Sequence, residues 1–105
     1  MHRLIDQRRA EIALLCRRYG VHRLEVFGSV ARGADFDPAT SDADFLVDFE
    51  PESEMSPLGR LFGLAEDLEI LLGRPVDLAE RQAVEASRNY IRRDRILAEA
   101  EAIYG

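Results

Sequence analysis

The amino-acid sequence predicts an α/β fold, a small mixed β-sheet packed with helices. Three observations carry that reading. Segments with apolar residues every three or four positions interchange with segments of every-second-residue alternation, in the order α-β-β-α-β-α. A long amphipathic segment separates the second and third strands and supplies the crossover that a parallel pair needs. The length of 105 residues suits a single domain, 1–105, built on one core.

Each element has its own signal. Residues 3–19 read as an amphipathic helix, with Leu4, Ile5, Ile12, Leu15, Cys16 and Tyr19 on one stripe and Gly20 closing it. Residues 21–27 form a short strand, with Leu24 and Val26 on one face and Glu25 and Phe27 on the other. The strand runs into Gly28-Ser29 and a helical turn over 29–33, and a polar loop follows over 34–41. Residues 42–49 are the clearest strand, placing Asp42, Asp44, Leu46 and Asp48 on one face and Ala43, Phe45, Val47 and Phe49 on the other. Ser56-Pro57 is an N-cap followed by proline at the first helical position. The helix runs to about Leu72, with Leu58, Leu61, Phe62, Ala65, Leu68, Leu71 and Leu72 as its expected apolar face. A third strand is expected over 75–79 with Asp77 at its centre, and a brief helix over 80–86. Asn89 caps a last helix predicted over 90–104, with Ile96, Leu97, Ala100, Ile103 and Tyr104 inward.

Composition narrows the function. A content of 47% apolar and 32% charged residues belongs to a soluble globular chain. No apolar run reaches the length of a membrane span, and the N-terminus lacks a signal-peptide pattern, so a cytoplasmic protein without a membrane partner is expected. A net charge of −6 disfavours a long nucleic acid as partner, because such binding rests on neutralising phosphates. All 14 basic residues are arginine, so any cationic phosphate contact must be an arginine. Cys16 lies on the helical stripe and reads as a small core hydrophobe.

The chemistry gathers in four places. Asp42 and Asp44, two apart on a strand, share a face with α-carbons about 6.5–7 Å apart, a spacing at which two carboxylates converge on divalent ions. Asp77 joins them if the third strand lies beside the second. Gly28 lets backbone approach a phosphate, and Ser29 adds a hydroxyl. Arg32 follows one turn later and offers a charge-assisted contact. Each signal alone is matched by a bland reading: a solvated strand edge, an exposed aspartate, a plain turn. Their ordered combination is what points to a metal-bound nucleoside triphosphate.

The run Gly-Ser-x-Ala-Arg-Gly, then Ser-Asp-x-Asp followed by apolar residues, then Val-Asp-Leu, resembles the nucleotidyltransferase superfamily that includes DNA polymerase β. The short chain is similar to its minimal nucleotidyltransferase (MNT) members, antitoxins paired with HEPN-domain toxins. The resemblance implies a polymerase β-like fold and Mg²⁺-dependent transfer of AMP from ATP to a hydroxyl, a tyrosine, of a cognate HEPN toxin in a hetero-oligomer. It implies two Mg²⁺ ions, with Mn²⁺ an alternative. By position, Gly28 and Ser29 match the triphosphate-binding pair and Arg32 the arginine of the antitoxin-type motif. Asp42, Asp44 and Asp77 match the catalytic and metal-binding carboxylates. The chain departs from many members at Val30, where they carry Arg or Tyr. Two other readings are an antitoxin that acts by occlusion alone and a small-molecule nucleotidyltransferase. Arg92, Arg93 and Arg95 read first as the wet face of a helix and second as an ATP or partner contact, and Tyr90 and Tyr104 read as packing residues ahead of self-modification sites.

Overall fold

The computed structural model describes residues 3–34, 37 and 41–105. Helices α1 (Arg3–Gln7) and α2 (Arg9–Arg18) lead into strand β1 (Val21–Phe27) and the short helix α3 (Gly28–Arg32). Strand β2 (Ala43–Phe49), helix α4 (Pro57–Leu72) and strand β3 (Val76–Glu80) follow, then α5 (Arg81–Glu85), α6 (Tyr90–Glu99) and strand β4 (Glu101–Tyr104). The four strands form one mixed sheet in the order β3-β2-β1-β4. β1 is antiparallel to β2 and to β4, and β2 is parallel to β3, with α4 as the crossover. Among the described residues no helix is long and apolar enough to cross a membrane.

Strand alternation divides the sheet into two faces. Leu24, Val26, Ala43, Phe45 and Val47 belong to the main core with Ile5, Ile12, Cys16, Leu64, Leu68 and Leu72 from α1, α2 and α4. Burial pushes the Cys16 thiol up to about 12, so at neutral pH it is a packed, inert group, as expected. On the opposite face Phe27 and Leu46 pack with Ile96 of α6, and Val84 of α5 lies against them. α2 and α4 pack closely because Gly63 has no side chain: a Cβ there would stand 2.7 Å from Cε1 of Tyr19. The Tyr19 hydroxyl donates to Asp67 of the same helix at 2.5 Å.

Several sequence expectations need correction. The helix expected over 3–19 is interrupted at Arg8, whose φ of −112° and ψ of 11° leave the helical region. Residues 6–10 are all exposed, so no packing holds that turn. On α4, Leu58 and Phe62 are exposed, and the buried stripe is Arg60, Leu64, Leu68 and Leu72. Arg60 is tolerated inside because its Nη1 donates to the Glu50 carbonyl at 2.8 Å and its guanidinium lies 4.6 Å over the Phe49 ring. Tyr90 is exposed rather than packed. The last helix ends at Glu99, not at residue 104. Ala100 turns extended and residues 101–104 become β4, pairing Leu24 with Tyr104 and Val26 with Glu101. Ile103 and Tyr104 thereby reach the main core from the sheet edge. Most of the polar loop expected over 34–41, with His2, lies outside the described residues.

The α5–α6 face also holds one buried charge. Glu25 is only 3% exposed and is met by Arg81 of α5 and, at 3.6 Å, by Arg23. Removing one partner of a buried ion pair costs more than the pair itself contributes, because the remaining charge stays desolvated. Arg81→Ala is expected to lower stability by about 2 kcal/mol in urea unfolding, less than for a fully enclosed pair because Arg23 remains. Adding Glu25→Leu to that variant should recover most of the loss. A double variant as unstable as the sum of the singles would show that the pair is not the cause.

Candidate active site

The site begins where β1 runs out. Phe27 is anchored against Leu46 and Ile96, and the next residue, Gly28, turns the chain at φ +68°. A Cβ at Gly28 would lie 2.5 Å from Oδ2 of Asp44. Two reasons therefore demand glycine: left-handed backbone, and a carboxylate in the space of the missing side chain. Ser29 follows in the first turn of α3, which no side chain caps. The antiparallel register sets Phe27 opposite Asp44, so the turn and the carboxylate are neighbours by construction.

The carboxylates come together through the parallel pair. Asp44 of β2 is in register with Asp77 of β3, so both project from one face of adjacent strands. Asp42 immediately precedes β2 and is exposed. Its charge acts on Asp44 together with that of Asp77. The Asp44 carboxyl is raised from 3.8 to about 6, first by burial, then by Asp77 and Asp42, while Arg32 and Arg92 oppose the shift. Sequence spacing brought Asp42 and Asp44 together; strand pairing adds Asp77.

A cleft of about 430 Å³ opens here, lined by Gly28, Ser29, Arg32, Asp44, Asp77 and, from α6, Arg92, Arg95, Ile96 and Glu99. A larger cavity, about 590 Å³, lies at the other end of β1 and β2, around His22, Glu50 and Arg60, away from the paired aspartates and the Gly-Ser turn. Arg32 enters the cleft as expected, and its Nη1 pairs with Glu99 at 2.8 Å. Glu99 also accepts from Nε of Arg95 at 3.4 Å. From α6, the sequence ranked a ligand contact by Arg92 and Arg95 second to a wet helix face, and it did not single out Glu99. The signal lies in helix spacing: Arg92 and Ile96 are four apart and share a face, so the inward Ile96 carries Arg92 to the same side.

The donor set suits a hard divalent cation: carboxylate oxygens only, one of them with its pKa raised by burial and by like charges that a cation would offset. Among the described residues no three His, Cys, Asp or Glu side chains already converge as a metal cage. Mg²⁺ seldom uses an all-protein cage and completes its shell with water and substrate phosphate.

Comparison with known proteins agrees with this geometry. Residues 12–100 match the family model described as a nucleotidyltransferase domain. A protein adenylyltransferase, MntA, of Thermococcus cleftensis is 42% identical over 72 residues, covering 69% of this chain and 68% of its own. A relative from Methanocaldococcus jannaschii is 33% identical over 96 residues, covering 91% and 94%. Among solved structures, one described as a minimal nucleotidyltransferase is 36% identical, covers 96% of this chain and 95% of its own, and superposes with a TM-score of 0.71. One chain of the structure described as a tri-AMPylated Shewanella oneidensis HEPN toxin in complex with MNT antitoxin shares the fold at a TM-score of 0.60 and 17% identity, covering 95% of this chain and 71% of its own.

The Asp44 shift has a definite sign. Between about pH 4 and 6 the folded chain holds a proton on Asp44 that the unfolded chain has lost, so this group's contribution to stability falls as pH rises through that window. Asp44→Asn is therefore expected to unfold at a higher temperature than the parent at pH 7.5 without divalent ions, and the gap should close near pH 4. Added Mg²⁺ should raise the parent's unfolding temperature and leave the variant unmoved. A parent that gains stability between pH 4 and 7.5 relative to Asp44→Asn would contradict the assignment.

Proposed function

Because the chain belongs to the nucleotidyltransferase family in its minimal form, we infer that its cleft transfers AMP from ATP to a hydroxyl of a partner protein. The observation that carries the reading is the in-register pair Asp44–Asp77 beside a Gly28 whose missing side chain makes room for Asp44. The MntA relative supports the choice of AMP and of a protein acceptor. The toxin–antitoxin complexes that share the fold support a HEPN toxin as that partner and hence an antitoxin role in a hetero-oligomer. The acceptor hydroxyl is read as a tyrosine from the sequence resemblance.

In this reading Asp42, Asp44 and Asp77 hold two Mg²⁺ ions. When bound, the ions lower the pKa of the acceptor hydroxyl and neutralise charge on the departing pyrophosphate. The protein's own residues do the rest. Gly28 lets the backbone of the turn come within hydrogen-bonding reach of the triphosphate, and the Ser29 hydroxyl donates to it. Arg32, steadied by Glu99, adds a charge-assisted contact. Asp77, on the outer strand, receives the proton of the attacking hydroxyl. Phe27 and Ile96 form an apolar wall beside the reacting groups and reduce their access to water. A second substrate pocket is not required, since the partner protein brings its own acceptor to the open side of the cleft.

The reading is tested by co-purifying the chain with its partner and supplying ATP radiolabelled at the α-phosphate. Label is expected on the partner's tyrosine in the presence of Mg²⁺. Asp42→Ala with Asp44→Ala should reduce labelling by more than about a hundredfold. Undiminished labelling would remove these residues from the site. Neutralisation of the toxin by the unlabelling double variant, at unchanged affinity for its partner, would replace chemistry with occlusion.

A further inference from the structure

The cleft presents three arginines, and their situations differ. Arg32 and Arg95 are both engaged by Glu99. The neighbouring Arg93 is held by Asp94 and by the Ser87 carbonyl. The Arg92 guanidinium has no hydrogen bond or ion pair among the described residues, although its charge reaches Asp44. Its location is nonetheless determined. The Asn89 side chain accepts from the Arg92 backbone N–H at 3.2 Å, which starts α6 at a defined residue. One turn later Ile96, 7% exposed, locks the same helix face onto Phe27. Because Phe27 is followed directly by Gly28 and Ser29, that lock carries Arg92 to the wall of the cleft that holds the Gly-Ser turn.

We propose that Arg92 binds the β- and γ-phosphates of the nucleotide and stabilises pyrophosphate as it leaves. This rests on the nucleotidyl-transfer reading of the cleft. In that reaction the acceptor oxygen forms a bond to the α-phosphorus and its proton passes to Asp77. The bond from the α-phosphorus to the oxygen shared with the β-phosphate breaks, and its electron pair departs with pyrophosphate. Negative charge therefore grows on the departing pyrophosphate, inside the cleft that Arg92 lines. A guanidinium is suited to that place: it is always charged and donates two parallel N–H bonds to phosphate oxygens. Glu99 offsets the charge of Arg32 and Arg95, whereas no carboxylate pairs with Arg92. Arg92 is thus the cleft cation that gains its main partner on nucleotide binding.

The test uses the full chain in Mg²⁺, titrated calorimetrically with a non-hydrolysable ATP analogue and with inorganic pyrophosphate. Arg92→Ala is expected to weaken both by about tenfold or more, with Arg92→Lys intermediate and Arg88→Ala, an exposed control, unchanged. Unfolding temperatures should match the parent's, because the Arg92 side chain is exposed. An Arg92→Ala chain that binds the analogue and pyrophosphate as tightly as the parent overturns the proposal and leaves the transferase reading intact. A parent that binds neither ligand defeats the transferase reading itself. Should Arg92→Ala fail to fold, Arg92→Gln, which keeps length and polarity without charge, decides by the same criterion.

Discussion

Asp44 occupies the volume that a side chain at position 28 would need, and the rest of the site follows from that exclusion. The antiparallel register fixes Phe27 opposite Asp44, so the end of one strand and the start of the next must share a small space. Only a residue without Cβ, in left-handed conformation, lets the chain turn there. The turn then presents Ser29 beside the carboxylate instead of across a gap. β3 completes the arrangement, since a parallel neighbour in register sets Asp77 level with Asp44. The Gly-Ser turn and the paired aspartates are therefore positioned by the same strand pairings, and neither can shift without the other.

The sheet keeps these tasks apart from stability. One face carries the main core with α1, α2 and α4. The other holds a smaller cluster around Phe27, Leu46 and Ile96, and it is on this face that Asp44 and Asp77 stand. Burying a carboxylate beside like charges is unfavourable, as the Asp44 carboxyl, raised first by burial and then by Asp77 and Asp42, shows. The fold tolerates them because its hydrophobic stabilisation comes mainly from the opposite side. α6 balances the electrostatics by bringing arginines over the aspartates, with Glu99 preventing those cations from crowding one another.

Much of this was legible in the residues alone. The pairs Asp42–Asp44 and Gly28–Ser29 are local, and local spacing sets their geometry. The start of α4 was readable because Ser56 caps it, accepting from the Gly59 N–H at 3.0 Å, and Pro57 fits its first turn. Asp77 required a conditional, that β3 should lie beside β2, which the α4 crossover satisfies. The failures share a cause. Ala100 to Tyr104 continues a helical period and contains good helix formers, but the open edge of β1 offers backbone hydrogen bonds that a helix end cannot match, and pairing wins. Leu58 and Phe62 fit an apolar stripe, yet the stripe that meets the sheet is rotated toward Leu64. For Arg92 the wet-face reading ranked above a ligand contact because an arginine on a helix looks the same whether it faces open water or a cleft; the docking of Ile96 distinguishes them.

The pairing of β4 with β1 joins Leu24 to Tyr104, partners 80 positions apart in the sequence. Ribosomal synthesis delivers β1, β2, α4 and β3 first, with the seven-residue β1 at the sheet's edge. A long edge strand invites pairing with other chains, and docking of β4 replaces it with an edge of only four residues. Closing so long a loop is also slow. The strand that covers β1 directly follows the helix carrying Arg92 and Arg95. Shortening of the exposed edge and completion of the cleft's arginine wall thus arrive together.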